Sequence, residues 1–274
     1  MEESYIEVMG IRIRVARKLG TSARPLLLFN GIGANLELLE PLMQSLEGVE
    51  CVIFDMPGIG ESEVSRFPMR LKGLVKLSVQ ILDHFNYGHV DVLGVSWGGA
   101  MAQEFAYRNP KRCCKLILAA TSAGAIMVPG KPSVLMKLSN PKRYFNKSYL
   151  KGISQHIYGG KLRDDPDFME QYTDRVRPPN SSRGYWWQLY AASAWTSAHW
   201  LHKIKQETLI LAGNDDPLVP IVNARFLHSR IMNSMLVELD CGHLFLMTLM
   251  DEVSPLIMDF LDSRLAADQS TNIH

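Results

Sequence analysis

Gly94-Val95-Ser96-Trp97-Gly98 lies between an apolar run ending near Leu93 and a helix-like stretch opening at Gly99. This G-x-S-x-G pattern reads as a nucleophile elbow, a tight strand-to-helix turn that projects a serine beyond the sheet. The flanking glycines let the turn form because neither carries a Cβ to strike neighbouring backbone. The helix that follows aims its first amides at the serine. These lack intrahelical partners and can stabilise an oxyanion.

Outward from the elbow, apolar runs at 26–30, 51–55, 90–94 and 116–120 alternate with helical patterns at 36–46, 74–85 and 100–107. The alternation predicts an α/β protein, a mostly parallel central sheet flanked by helices on both faces. Residues 5–8 and 11–15 flank Met9-Gly10 and predict an N-terminal hairpin on the sheet edge. The pattern resumes with strands at 208–212 and 235–239 and helices at 222–227 and 253–265, ahead of a frayed tail at 268–274.

Between 124 and 203 the alternation breaks, with interruptions at Pro129, Pro132, Pro141, Pro178 and Pro179. This predicts a mainly helical lid inserted between core strands, with a core formed by 1–123 and 204–267. The lid is rich in aromatics, among them Tyr144, Tyr185, Tyr190 and Trp200. About half of these are expected to fill the lid's own interior, since aromatics bury chiefly for area. Trp186, Trp187 and Trp195 are the candidates for substrate contact.

Composition limits the partners. The chain has 274 residues, enough for one large core with an insertion. With 29 basic and 28 acidic side chains its net charge is +1, which argues against nucleic acid as a partner. The start, Met1-Glu2-Glu3-Ser4, lacks the basic-then-apolar pattern of a secretory leader, and no apolar run is long enough to span a bilayer, so a cytoplasmic location is expected. Cys51, Cys113, Cys114 and Cys241 show neither zinc nor redox spacing and read as core thiols.

A nucleophilic serine needs a base, and the base needs an acid to orient it; elbow folds carry them in the order serine, carboxylate, histidine. Asp215 and Asp216 follow the strand at 208–212, and His243 follows the strand at 235–239. Each lies beyond the C-terminal end of a strand, the edge where open α/β sheets bind ligands and where Ser96 emerges. The loop after the first parallel strand, Asn30-Gly31-Ile32-Gly33, is expected to supply the second oxyanion donor. The donors are then the amides of Ile32 and Trp97, and losing one such donor costs on the order of 3 kcal/mol in the transition state. Asn30 reads as a residue that ties its loop together, and the turn at 55–62 reads as structural. No metal or organic cofactor is required, because every role has a protein group.

With these parts in place the chain resembles the α/β-hydrolase superfamily over nearly its whole length. Gly213 to Pro220 match the G-x-x-D-x-x-x-P frame in which that superfamily sets its triad acid, which selects Asp216 and leaves Asp215 as a turn residue. Five blocks resemble the intracellular medium-chain-length poly(3-hydroxyalkanoate) depolymerases: 30–38 (NGIGANLEL), 94–100 (GVSWGGA), 127–132 (MVPGKP), 195–204 (WTSAHWLHKI) and 242–246 (GHLFL). The resemblance implies a serine esterase acting on storage-polyester granules through Ser96, Asp216 and His243, with an apolar lid meeting the polymer. The alternatives on this scaffold are a small-molecule carboxylesterase, a carbon–carbon bond hydrolase, or a non-catalytic receptor or granule-coating protein. Dehalogenases and epoxide hydrolases place Asp at the elbow, and polyester synthases Cys. Oligomeric state is not encoded in any of these motifs.

Overall fold

The computed structural model describes residues 1–140, 142, 146–160, 166–177 and 182–263. Met9 and Gly10 both adopt positive φ, 54° and 70°, the geometry of a two-residue hairpin turn. Strand β1 (Glu2–Val8) therefore folds back antiparallel on β2 (Ile11–Lys18). The remaining strands are β3 (Leu26–Phe29), β4 (Cys51–Phe54), β5 (Val90–Val95), β6 (Cys113–Ala119), β7 (Glu207–Gly213) and β8 (Ser234–Leu239). They form one eight-stranded sheet in the order β1-β2-β4-β3-β5-β6-β7-β8, in which every pairing from β4 to β8 is parallel.

Alternate residues of these strands serve opposite faces. Leu27, Phe29, Val92, Leu116 and Ile210 pack on α2 (Leu71–His84), α3 (Trp97–Arg108) and α8 (Val222–Arg230). Leu26, Leu28, Leu93, Ile117 and Leu209 pack on α1 (Glu40–Ser45) and α9 (Met250–Asp262). Burial on both faces explains why these strands read as continuous apolar runs rather than alternating ones. The helix expected over 36–46 is divided into a 3-10 turn, Leu36–Leu38, and α1. Pro41 has no N–H to continue the earlier turn and sits instead in the first turn of α1, where none is needed.

Between β6 and β7 a β-bridge pairs Gly124 with Thr196. Beyond it lie α4 (Pro132–Ser139), α5 (Lys147–Tyr158), α6 (Pro166–Arg175) and α7 (Ser182–Ala192). Val134, Leu150, Ile157, Met169, Tyr172 and Tyr185 form their own apolar cluster, which reaches Leu38 and Leu218 of the core loops. Trp200 packs instead in the main core, stacked on Tyr107 with centroids 4.4 Å apart. Pro141, Tyr144, Pro178, Pro179, Leu265 and the tail 268–274 lie outside the described residues. Among the described residues no helix is long and apolar enough to cross a membrane. Cys51, Cys113 and Cys241 are buried, and burial pushes the Cys51 thiol up to about 12.

Candidate active site

Because β3, β5, β6, β7 and β8 run parallel, the loops that follow them gather on one edge of the sheet. Ser96 follows β5 with φ 56° and ψ −119°, a conformation that a residue with a Cβ holds only when its surroundings impose it. Here they do. Its amide donates to the Ala119 carbonyl at 2.8 Å, and its carbonyl accepts from Gly99 N at 2.9 Å and Thr121 Oγ1 at 2.7 Å.

The neighbouring glycines exist for clearance. A methyl group on Gly98 would strike the Phe29 carbonyl oxygen and stand 2.5 Å from its carbon and 2.6 Å from the Asn30 carbonyl oxygen. All three obstacles are backbone and cannot rotate away. Gly98→Ala is therefore expected to destabilise the protein by on the order of 4 kcal/mol or more; a urea midpoint equal to that of the parent would contradict the close approach of α3 to β3.

His243 follows β8, and its amide donates to the Tyr158 carbonyl at 2.7 Å. Its Nε2 lies 3.1 Å from Ser96 Oγ and its Nδ1 2.6 Å from Asp216 Oδ2. The other oxygen of Asp216 accepts from the amides of Leu218 at 2.8 Å and Val219 at 2.9 Å. With one carboxylate oxygen held by backbone, the remaining one is aimed at the imidazole. A proton on Nδ1 satisfies Asp216 and leaves the Nε2 lone pair to accept from the serine hydroxyl, which is the assignment the network favours. Asp215 faces elsewhere: it is exposed and accepts from Gly160 N at 2.9 Å. Asp216 and His243 are buried, so their interaction is little screened by solvent.

Ser96 and His243 open into a cavity of about 480 Å³, within the usual range for small-molecule sites. Ile32 and Trp97 line the same cavity, and Trp97 is the first residue of α3, so its amide has no intrahelical partner. Asn30 accepts from Gly31 N and donates to the Asn35 carbonyl, both at 2.8 Å, which fixes the loop that carries Ile32. Of the three tryptophans expected to contact substrate, Trp195 lines the cavity. Trp187 donates its indole N–H to the Ser65 carbonyl at 3.2 Å and packs beside Met56 and Leu74, and Trp186 is half exposed; neither is among the lining residues. Three residues around the site carried no motif: Thr121 and Tyr158, whose contacts with Ser96 and His243 appear above, and Gln188 of α7, which accepts from Gly33 N. Each acts on the backbone of a residue distant in sequence, which leaves no spacing to read.

In the turn after β4, Asp55 is buried with its oxygens accepting from Leu36 N at 2.8 Å and Glu61 N at 3.0 Å. Burial pushes its carboxyl up to about 6, although those two amides and Arg14 at 3.5 Å favour the anion. A carboxyl whose folded pKa lies above its unfolded value contributes stability that is present at low pH and lost as pH rises through the folded pKa. Relative to Asp55→Asn, the parent is thus expected to lose on the order of 3 kcal/mol between about pH 4 and pH 6. Parallel stability profiles for the two proteins would refute this.

A family model described as the alpha/beta hydrolase fold matches residues 24–248. The chain is 51% identical over 258 residues, 93% of its length and 91% of the relative's, to a poly(3-hydroxyalkanoate) depolymerase of Ectopseudomonas oleovorans. It is 25% identical to 3-oxoadipate enol-lactonase 2 of Acinetobacter baylyi, covering 82% of this chain and 84% of that one. The solved enol-lactonase of Burkholderia xenovorans superimposes with a TM-score of 0.81 at 21% identity, covering 95% of this chain and all of that one; it speaks for the fold alone. From the sheet, the elbow and these matches, the chain belongs to the alpha/beta hydrolase fold family.

Proposed function

We propose that this carboxylic-ester hydrolase is an intracellular depolymerase of medium-chain-length poly(3-hydroxyalkanoate), working through Ser96, His243 and Asp216. The observation that carries the reading is the 51% identity to a depolymerase over 93% of the chain, joined to a serine, histidine and aspartate in hydrogen-bonding contact at an apolar cavity.

The chemistry runs in two halves. Ser96 Oγ attacks the ester carbonyl while His243 Nε2 takes its proton, and Asp216 stabilises the imidazolium. The amides of Ile32 and Trp97 receive the oxyanion. The tetrahedral intermediate collapses with cleavage of the C–O ester bond. His243 returns the proton to the departing oxygen, which becomes the 3-hydroxyl of one polymer fragment. Water deprotonated by His243 then attacks the acyl-enzyme and releases the other fragment as an acid, restoring the Ser96 hydroxyl.

Residues 124–203 act as the lid. Trp195, Leu135, Leu189 and Met247 give the cavity the apolar walls that an alkyl side chain requires. Ile126, Val128, Met136 and Trp186 are exposed on or beside the lid, which favours contact with a hydrophobic granule surface. A cytoplasmic location agrees with a storage polymer as substrate.

Acid release from two emulsified polyesters, one with short and one with medium-length side chains, tests the reading. Release from the medium-chain polymer, absent in Ser96→Ala, is the expected result. Cleavage of soluble p-nitrophenyl esters with neither polymer attacked would make the chain a small-molecule esterase.

A further inference from the structure

Gln188 sits on α7, in the segment assigned above as the lid, yet both loops carrying the assigned oxyanion donors are held by this one residue. Its side-chain Oε1 accepts from Gly33 N at 2.6 Å, one residue beyond Ile32. Its backbone carbonyl accepts from the Trp97 indole Nε1 at 3.1 Å, and Trp97 supplies the other donor through its own amide. Gln188 is 3% exposed, so both bonds are shielded from water.

The orientation of the amide is informative. Gly33 offers a donor, so the carbonyl oxygen of Gln188 must face it, and the side-chain Nε2 is left buried with no hydrogen-bond partner among the described residues. A buried amide N–H₂ without a partner is costly, and such groups call for an explanation. Reversing the amide would set N–H against N–H at Gly33, so the loop dictates the side chain's placement.

The helix bearing Gln188 is itself seated firmly on the core. Gly184 lies so close to Gly58 that a methyl on it would approach the Gly58 Cα to 2.7 Å. Trp187 bonds Ser65 at 3.2 Å, and Arg70 donates to the carbonyls of Tyr190 at 3.0 Å and Ser193 at 2.8 Å. An anchor held from both sides can fix a loop to the fraction of an ångström that oxyanion stabilisation requires.

We propose that Gln188 is a positioning residue that sets the separation of the Ile32 and Trp97 amides, so that the lid helix preorganises the oxyanion hole. The inference rests on the oxyanion assignment made under the proposed function. It predicts an effect on the transition state rather than on substrate binding, because Gln188 does not line the cavity.

The test uses p-nitrophenyl octanoate together with a trifluoromethyl ketone, which adds to a serine as a tetrahedral oxyanion. In Gln188→Met, which keeps length and loses the acceptor, kcat is expected to fall about 10- to 100-fold with KM within about threefold. Affinity for the ketone should fall by the same factor as kcat/KM, with the thermal midpoint little changed. Trp97→Phe, which removes the indole donor and keeps the backbone amide, is expected to lower kcat and ketone affinity together by a smaller factor, and it serves if the first variant does not fold. A parent enzyme that fails to bind the ketone tightly would sink the oxyanion assignment itself. Tight binding by the parent with no loss in either variant, or a loss confined to KM or to thermal stability, would overturn the role of Gln188 alone.

Discussion

Ser96→Ala is expected to lower kcat on a soluble medium-chain ester by about 10⁴- to 10⁶-fold, with KM little changed. The hydroxyl is the sole group lost, and the apolar cavity walls that bind an acyl chain do not depend on it. Covalent catalysis is removed, because among the described residues Ser96 Oγ is the hydroxyl hydrogen-bonded to His243 Nε2, while Thr121, which also lines the cavity, donates its Oγ1–H to the Ser96 carbonyl. The residual rate comes from substrate held against the oxyanion donors and attacked by water. Stability should change little, since alanine keeps both backbone bonds, its amide donating to the Ala119 carbonyl and its carbonyl accepting from Gly99 N. Steady-state kinetics beside a thermal melt separate the two effects, and retention of more than about a tenth of the activity would remove Ser96 from the mechanism.

The second large effect concerns the paired carboxylates. Asp216→Asn is expected to cost on the order of 10⁴ in kcat. The amides of Leu218 and Val219 demand an acceptor at one side-chain oxygen, so the asparagine must keep its carbonyl there and present its N–H₂ to His243. That forces Nδ1 to accept and moves the imidazole proton to Nε2, where it faces Ser96 and cannot receive a proton. Asp215→Asn should stay within about threefold of the parent, since Asp215 is exposed and meets the Gly160 amide rather than the imidazole. The pair of variants is read by the same assay, and equal losses would mean that the two aspartates share the role.

The parallel core was legible because its strands are short, apolar on both faces and bounded by helical periodicity. The elbow was legible because a serine turn needs glycines at fixed offsets, and the structure shows what they clear: backbone of β3 at Gly98, and Thr121 at Gly99. Those same glycines obscured the start of α3, which opens at Trp97 rather than near Ala100, since glycine reads as a helix breaker unless the close approach it permits is known. Trp195, Trp186 and Trp187 were equivalent as sequence, because composition marks a residue as apolar without saying that Trp195 falls beyond the end of α7, against the cavity, while Trp186 and Trp187 sit on the helix itself. Gln188 was not legible at all. Its partners lie 155 and 91 residues away, and a glutamine among aromatics on a helix has no spacing that distinguishes an anchor from a surface residue.

The most direct test of the account is intact-mass spectrometry after treatment with an alkyl fluorophosphonate, followed by peptide mapping. The account predicts one adduct, on the peptide carrying Ser96, absent in Ser96→Ala and formed far more slowly in His243→Ala. An unmodified parent protein, or an adduct on any other residue, would contradict it.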